Sequence, residues 1–189
     1  MKEKKTIRKQ MWEHLMAQEE PLREVKSDII FNKVISLDNW KQATCIAITI
    51  SRTFEVNTRK LIEQAWREGK QVSVPRCKPT TREMAFYLFS SFHQLEVVYA
   101  GLYEPKINET KLISSDAIDL LILPGMAFTT RGDRLGFGGG YYDHFLRTYD
   151  GNLLALAFDF QMRPSLPVEY HDIPVNQIVT EKCVIGYGA

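Results

Sequence analysis

The stretch Leu120-Leu121-Ile122-Leu123-Pro124-Gly125-Met126-Ala127-Phe128-Thr129-Thr130-Arg131-Gly132-Asp133-Arg134-Leu135-Gly136-Phe137-Gly138-Gly139-Gly140-Tyr141-Tyr142-Asp143 decides how the chain reads. Leu120 to Leu123 form a short apolar run stopped by Pro124, the signature of a buried strand. Six of the chain's eleven glycines then fall between Gly125 and Gly140, so backbone freedom is concentrated in one loop. Tyr141 to Tyr149 reads as a helix. The loop therefore lies beyond the carboxyl end of a strand, where open α/β sheets bind their ligands. Glycines let the backbone approach an anion, and a helix N-terminus offers free N–H groups and a positive dipole end. Arg131 and Arg134 add the side-chain charge that a phosphate attracts. Two common phosphate signatures are absent: the chain has no Gly-Lys-Ser/Thr, and G-x-G-x-x-G would need glycine where Tyr141 stands. A tight turn without a ligand stays open as the alternative.

Working outward, Ile7, Met11, Leu15 and Met16 give residues 4–18 a helical spacing. Pro21 restarts the chain, and Leu22, Val25, Ile29, Ile30, Val34 and Ile35 continue a second helical pattern. The run 45–50 is apolar and β-branched, a buried strand. Asn57 or Thr58 caps a helix carrying Leu61, Ile62, Ala65 and Trp66, with Gly69 at its C-terminal stop. Strands follow over 71–75, 84–89, 153–158 and 178–185. Strands alternating with helices predict a three-layer α/β/α fold around a largely parallel sheet. With no internal repeat and no low-complexity linker, residues 1–189 read as one domain.

Composition narrows the function. Hydrophobic residues make up 44% and charged residues 25% of 189, an ordinary globular balance. The 24 Lys and Arg against 23 Asp and Glu leave a net charge of +1, which argues against nucleic-acid or membrane-surface partners. The separated Cys45, Cys77 and Cys183 suit reduced thiols. No apolar run reaches membrane-spanning length, and Met1-Lys2-Glu3-Lys4-Lys5 leads into a polar amphipathic segment, unlike a signal peptide. The expectation is a cytoplasmic monomer acting on small molecules.

The run from Pro124-Gly125 through Arg134-Leu135-Gly136-x-Gly138-x-Gly140-Tyr141-Tyr142-Asp143 closely resembles the signature of the 5-formyltetrahydrofolate cyclo-ligase (methenyltetrahydrofolate synthetase) family. Three further stretches match in order: Lys4-x-x-Ile7-Arg8; Ile50 five residues before Glu55-Val56-Asn57-Thr58; and Pro167-Val168-Glu169-Tyr170-His171-Asp172-Ile173-Pro174-Val175. The resemblance spans essentially the whole chain. One departure stands out: some members carry a basic residue at the position of Phe137 or Gly139, and this chain has neither.

The resemblance implies conversion of 5-formyltetrahydrofolate and ATP, with Mg²⁺, to 5,10-methenyltetrahydrofolate, ADP and phosphate. It implies an ATP site from Lys4, Lys5, Thr6, Ile7 and Arg8 together with Arg134, Leu135, Gly136, Phe137, Gly138, Gly139, Gly140, Tyr141 and Tyr142. Arg134 is the residue expected to touch the transferring phosphoryl group, from a loop folded over the nucleotide and clear of the core. Asp143 and Asp172 are the implied Mg²⁺ ligands, and Ile50 and Glu55 the implied folate contacts. Tyr103 is a candidate to stack on the pterin, and Arg76 to meet the carboxylates of the glutamate tail. Taken alone, Lys4 and Arg8 read as a solvated basic face, Asp143 as a helix-start acid and Asp172 as a turn residue. His14, His93, His144 and His171 show no metal-ligand spacing, and Trp12, Trp40 and Trp66 read as packing residues. No Ser/His/Asp or Cys/His set is evident, which suits phosphoryl transfer by alignment and charge neutralisation. A non-catalytic phosphate-ligand sensor and a sugar-phosphate isomerase are the competing readings. Arg134, Asp143 and Asp172 together favour the enzyme.

Overall fold

The computed structural model describes residues 2–170 and 172–186; His171 and the expectation attached to it lie outside them. The described residues hold five α-helices: α1 (Lys2–Met16), α2 (Glu20–Ser36), α3 (Asp38–Gln42), α4 (Arg59–Arg67) and α5 (Tyr141–Phe145). The strands are β1 (Cys45–Ile48), β2 (Gln71–Lys78), β3 (Glu83–Leu88), β4 (Leu95–Val97), β5 (Tyr103–Pro105), β6 (Lys111–Ile113), β7 (Leu120–Leu123), β8 (Ala127–Thr129), β9 (Arg134–Leu135), β10 (Asn152–Leu156), β11 (Met162–Arg163), β12 (Gln177–Val179) and β13 (Val184–Gly186).

Eight strands form the main sheet in the order β13-β12-β10-β7-β1-β2-β3-β6. Its central five, β12 to β2, run parallel, and the antiparallel pairs lie toward the edges. β1 and β7 are buried along their whole length, as their unbroken apolar sequences require. The mixed α/β architecture and mostly parallel sheet agree with the sequence pattern.

Alternating sheet residues feed two separate cores. On one face Ile46, Ile48, Val72, Val74, Leu120, Ile122 and Leu154 pack beneath α1 to α4, through Ile7, Met11, Leu15, Ile30, Val34, Trp40, Leu61, Ile62 and Ala65. On the other, Ala47, Leu121, Leu123, Leu153 and Ala155 meet Leu146, Tyr149 and Phe128, with Phe145 of α5 against them. That second face carries only the five-residue α5 and the single turn at 146–148. The helix read over 141–149 is thus shorter than expected, and the strand read over 178–185 is two antiparallel strands, β12 and β13, turning at Thr180–Cys183. No helix among the described residues is long and apolar enough to cross a membrane.

The connections define where a ligand would sit. From β1 the chain passes through α4 to β2 on one side. From its neighbour β7 it passes to β10 and β12 on the other. Adjacent strands whose chains leave in opposite directions open a crevice beyond their carboxyl ends, the switch point where doubly wound sheets bind ligands. The crevice here is bounded by the segment 49–58 after β1 and by Pro124 and Gly125 after β7.

Candidate active site

A cavity of about 30 Å³ sits at this switch point, lined by Ser51, Glu55, Thr58, Pro124, Gly125 and Gln161 among others. The segment after β1 is fixed by its own hydroxyls. Thr58 Oγ1 donates to the Thr49 carbonyl at 2.8 Å and accepts from Ser51 N at 2.9 Å, and Ser51 Oγ accepts from Thr58 N at 3.1 Å. Glu55 thereby faces the cleft. Its Oε2 accepts the Arg52 amide N–H at 2.7 Å. Ile50 is buried in the main core beneath this segment.

Across the cleft, Arg134 departs from the sequence expectation of an exposed loop residue. It lies on β9, which pairs antiparallel with β8, and its side chain is only 5% exposed. Nη2 donates to Asp143 Oδ1 at 2.6 Å and Nη1 to the Pro124 carbonyl at 3.2 Å, and the guanidinium faces the Tyr142 ring at 5.6 Å. Burial pulls the guanidinium below the usual arginine range, with Asp143, Tyr142 and Asp172 opposing, yet an arginine stays charged. Arg134 Nε and the Tyr142 hydroxyl are buried with no hydrogen-bond partner among the described residues. Burial pushes the Tyr142 hydroxyl far above its ordinary range, so it stays a neutral donor; Glu55 also acts on it electrostatically. Buried polar atoms left without partners are costly, and here two of them sit on groups that face each other.

The glycine loop joins this centre to α1. Arg8 Nε donates to the Gly136 carbonyl at 2.8 Å. Gly138 has φ +105 and Gly140 φ +74, and a Cβ on Gly138 would lie 3.5 Å from the Arg8 guanidinium carbon. Only glycine adopts such a path beside a cation without strain. Lys4, one turn earlier, pairs with Glu169 at 2.8 Å and Asp172 at 3.5 Å. Burial lowers its pKa, but the hydrogen bond it donates to Glu169 and the two carboxylate charges outweigh this and raise it above the ordinary lysine value. Lys4, Arg8, residues 136–140, Arg134, Asp143 and Asp172 are therefore gathered by three distant segments. Lys5 and Thr6 face solvent, while Ile7 and Leu135 belong to the core. Since α5 has only five residues, its dipole adds little, and the loop's own N–H groups must do more.

Several expectations need redistribution. Arg131 pairs with Asp133 in the preceding turn at 3.2 Å. Arg76 hydrogen-bonds Glu96 at 2.8 Å and the Pro105 carbonyl, so it braces the β4–β5 hairpin. Tyr103, on that hairpin, is 38% exposed, with the Arg59 guanidinium 5.3 Å from its ring. Burial, with Glu104 adding to it, pushes the Cys77 thiol up to about 12, leaving it a neutral neighbour of Tyr142. Sequence reasoning missed Arg52, which stands beside Glu55; its only local signal is the i,i+3 spacing. No group of three or more His, Cys, Asp or Glu gathers as a metal cage among the described residues. Mg²⁺ does not require one, since it binds through one or two carboxylates plus phosphate oxygens and water. Asp143, with half its side chain exposed, and Asp172 fit that donor set.

The arrangement is that of a mixed α/β enzyme with a cleft at the switch point of a mostly parallel sheet, Glu55 on one wall and Pro124–Gly125 on the other, and a glycine loop nearby that receives Arg8. Residues 1–181 match the 5-formyltetrahydrofolate cyclo-ligase family, and the chain belongs to it. The Escherichia coli K12 5-formyltetrahydrofolate cyclo-ligase is 38% identical over 144 residues, which cover 73% of this chain and 78% of that protein. The mouse 5-formyltetrahydrofolate cyclo-ligase is 28% identical over 189 residues, covering 94% and 93%. The solution structure of Aquifex aeolicus 5,10-methenyltetrahydrofolate synthetase superposes with a TM-score of 0.86 at 31% identity, over 97% of this chain and 92% of that one.

Proposed function

We propose that this chain converts 5-formyltetrahydrofolate and ATP to 5,10-methenyltetrahydrofolate, ADP and phosphate, with Mg²⁺ required, as a single unit over 1–189 in which α5 serves as the third layer. The observation that carries the reading is the pair of buried, unpartnered polar atoms, Arg134 Nε and Tyr142 Oη, on two groups that face each other at the end of the glycine loop. A phosphoryl group and its acceptor entering there would satisfy both.

The formyl oxygen is a poor leaving group, so ring closure needs activation. In the proposed sequence that oxygen attacks the γ-phosphorus and ADP leaves, giving an imidate phosphate. N10 then attacks the formyl carbon, loses its proton, and phosphate departs with the former formyl oxygen. Arg8 and the 136–140 backbone hold the phosphate chain, and Lys4 adds positive charge beside it. Arg134, pre-aimed by Asp143 and the Pro124 carbonyl, meets the transferring group without reorganisation. Glu55 accepts hydrogen bonds from the pterin and orients it, Ile50 backs the segment, and Tyr103 supplies an aromatic surface. Mg²⁺ held by Asp143 and Asp172 would neutralise charge on the phosphate oxygens. Alignment and charge neutralisation suffice for such a transfer, with no protein nucleophile. The proposed setting is cytoplasmic, with the chain acting as a monomer on small molecules.

The test is direct. Purified protein is incubated with 5-formyltetrahydrofolate, with and without MgATP, and the methenyl chromophore is followed. Its growth only when MgATP is present is the expected outcome; no growth under any condition overturns the reading.

A further inference from the structure

Arg52 lies outside every residue set so far assigned to either substrate, yet its guanidinium meets both Glu55 and Phe137 of the glycine loop. Its backbone N–H donates to Glu55 Oε2 at 2.7 Å, and its guanidinium forks toward the same carboxylate, Nε to Oε2 at 3.4 Å and Nη2 to Oε1 at 3.5 Å. The guanidinium carbon also stands 4.3 Å from the centre of the Phe137 ring, 4.5 Å from Phe54 and 5.8 Å from Trp12. Both Arg52 and Glu55 side chains are 19% exposed, so these contacts are largely shielded from water. A guanidinium stacked on an aromatic face while forking to a carboxylate uses both of its binding surfaces at once.

The position of Phe137 gives this its meaning. Within 136–140 it is the only residue with a side chain, and so it adds a side-chain handle on the glycine loop to the backbone grip of Arg8 at Gly136. Phe137 also packs against the main core, and Trp12 and Phe54 pack edge to face at 4.7 Å behind Arg52. A nucleotide that fixes the loop fixes Phe137. Phe137 then fixes the plane of the Arg52 guanidinium, and that plane fixes the Glu55 carboxylate.

We infer that Arg52 is a positioning residue that couples the two halves of the site, so that nucleotide in the glycine loop and folate at Glu55 bind synergistically. This rests on the proposed reading of the cleft. Coupling of this kind is reciprocal: whatever factor the nucleotide contributes to folate affinity, folate returns to the nucleotide. Preorganising Glu55 before the pterin arrives is the source of the gain.

Calorimetric titration of 5-formyltetrahydrofolate, alone and with a non-hydrolysable β,γ-imido ATP analogue plus Mg²⁺, measures the coupling without turnover. In the parent protein the analogue is expected to tighten folate binding by about five-fold or more, within the usual range for coupled sites. In Arg52→Met and in Phe137→Leu the factor is expected to fall to about two-fold or less, with no further loss in the double variant, because both act through one contact. Arg52→Lys separates positioning from charge. It keeps a cation near Glu55, hence most of the folate affinity measured alone, but loses the planar fork and with it the tightening. Melting curves for each variant identify any that fail to fold. Tightening that survives in folded Arg52→Met or Arg52→Lys overturns the inference, as does a parent protein that binds both compounds independently. A parent that binds neither compound overturns the proposed function itself, and the inference with it.

Discussion

Arg134 shows how far a single residue's role depends on its burial. Read from sequence, it belongs to an exposed loop; in the structure it is clamped between Pro124, Asp143 and the Tyr142 ring. Arg134→Lys keeps the charge but loses the fork, so kcat should fall more than ATP affinity. Losing one preorganised contact to developing charge costs about 2–4 kcal/mol, roughly 30- to 1,000-fold in rate. Steady-state kinetics beside a melting curve check this, and burial now predicts a lowered Tm as well, where an exposed residue would leave it unmoved. Unchanged kcat would take Arg134 out of the site. Asp143→Asn tests the partner. Removing one member of a fully buried ion pair costs several kcal/mol, but solvent reaches half of Asp143, so a loss of about 1–2 kcal/mol is expected, together with a raised Mg²⁺ requirement. Parent-like stability and parent-like rates at limiting Mg²⁺ would contradict both roles, and would suit a mere helix-start acid, for which Asn serves about as well.

At the scale of elements, legibility followed the local signal. The unbroken apolar runs of β1 and β7 and the 7-11-15 spacing of α1 were readable because each is buried along one continuous face. In α2 the helix was legible but its buried face was not. Leu22, Val25 and Ile29 lie outward, whereas Ser27, Ile30 and Val34 face the core, since Ser27 Oγ accepts the Asn57 amide N–H at 3.1 Å. Periodicity cannot show that a serine is wanted inside. The short strands β4, β5, β8, β9 and β11 carry two or three residues each, too few for a period to emerge. The foot of the sheet offers a pH test. The Asp119 carboxylate accepts from Thr44 Oγ1 at 2.6 Å, Thr44 N at 2.8 Å and Cys45 N at 2.9 Å, tying β7 to β1. The Thr44 hydroxyl, with the two backbone bonds, lowers its pKa beneath the ordinary 3.8 despite some desolvation. Its contribution to stability is therefore complete above pH 3.8 and disappears as pH falls through the lower folded value. Urea midpoints across that window should converge for parent and Asp119→Asn at the acid end and separate above it; a constant gap would refute the tie. In the glycine loop, Gly138→Ala should cost about 1–3 kcal/mol in backbone strain at φ +105 and weaken ATP binding, because a Cβ strains the φ and crowds Arg8 only mildly. ATP titration of the folded variant measures it.

For the whole molecule, the order of strands does what no local pattern could. It sets β1 beside β7, so Glu55 and the Pro124–Gly125 turn, some seventy residues apart in the chain, become two walls of one cleft. Lys4 and Asp172 meet across a separation of 168 residues in the same way. The candidate residues were legible through their motifs, but their pairing was not, because nothing in a sequence marks which carboxylate an arginine will find. Arg52 was not legible for that reason: of its ring partners only Phe54 is local, while Trp12 and Phe137 come from distant segments. In the proposed mechanism phosphoryl transfer has its acceptor on the folate, which requires both substrates to be bound together. Phosphate release and methenyl formation, measured simultaneously with each substrate omitted in turn, test it most directly. One phosphate per methenyl group formed and very little phosphate from MgATP alone are expected; equal phosphate release with and without 5-formyltetrahydrofolate would overturn the proposed mechanism.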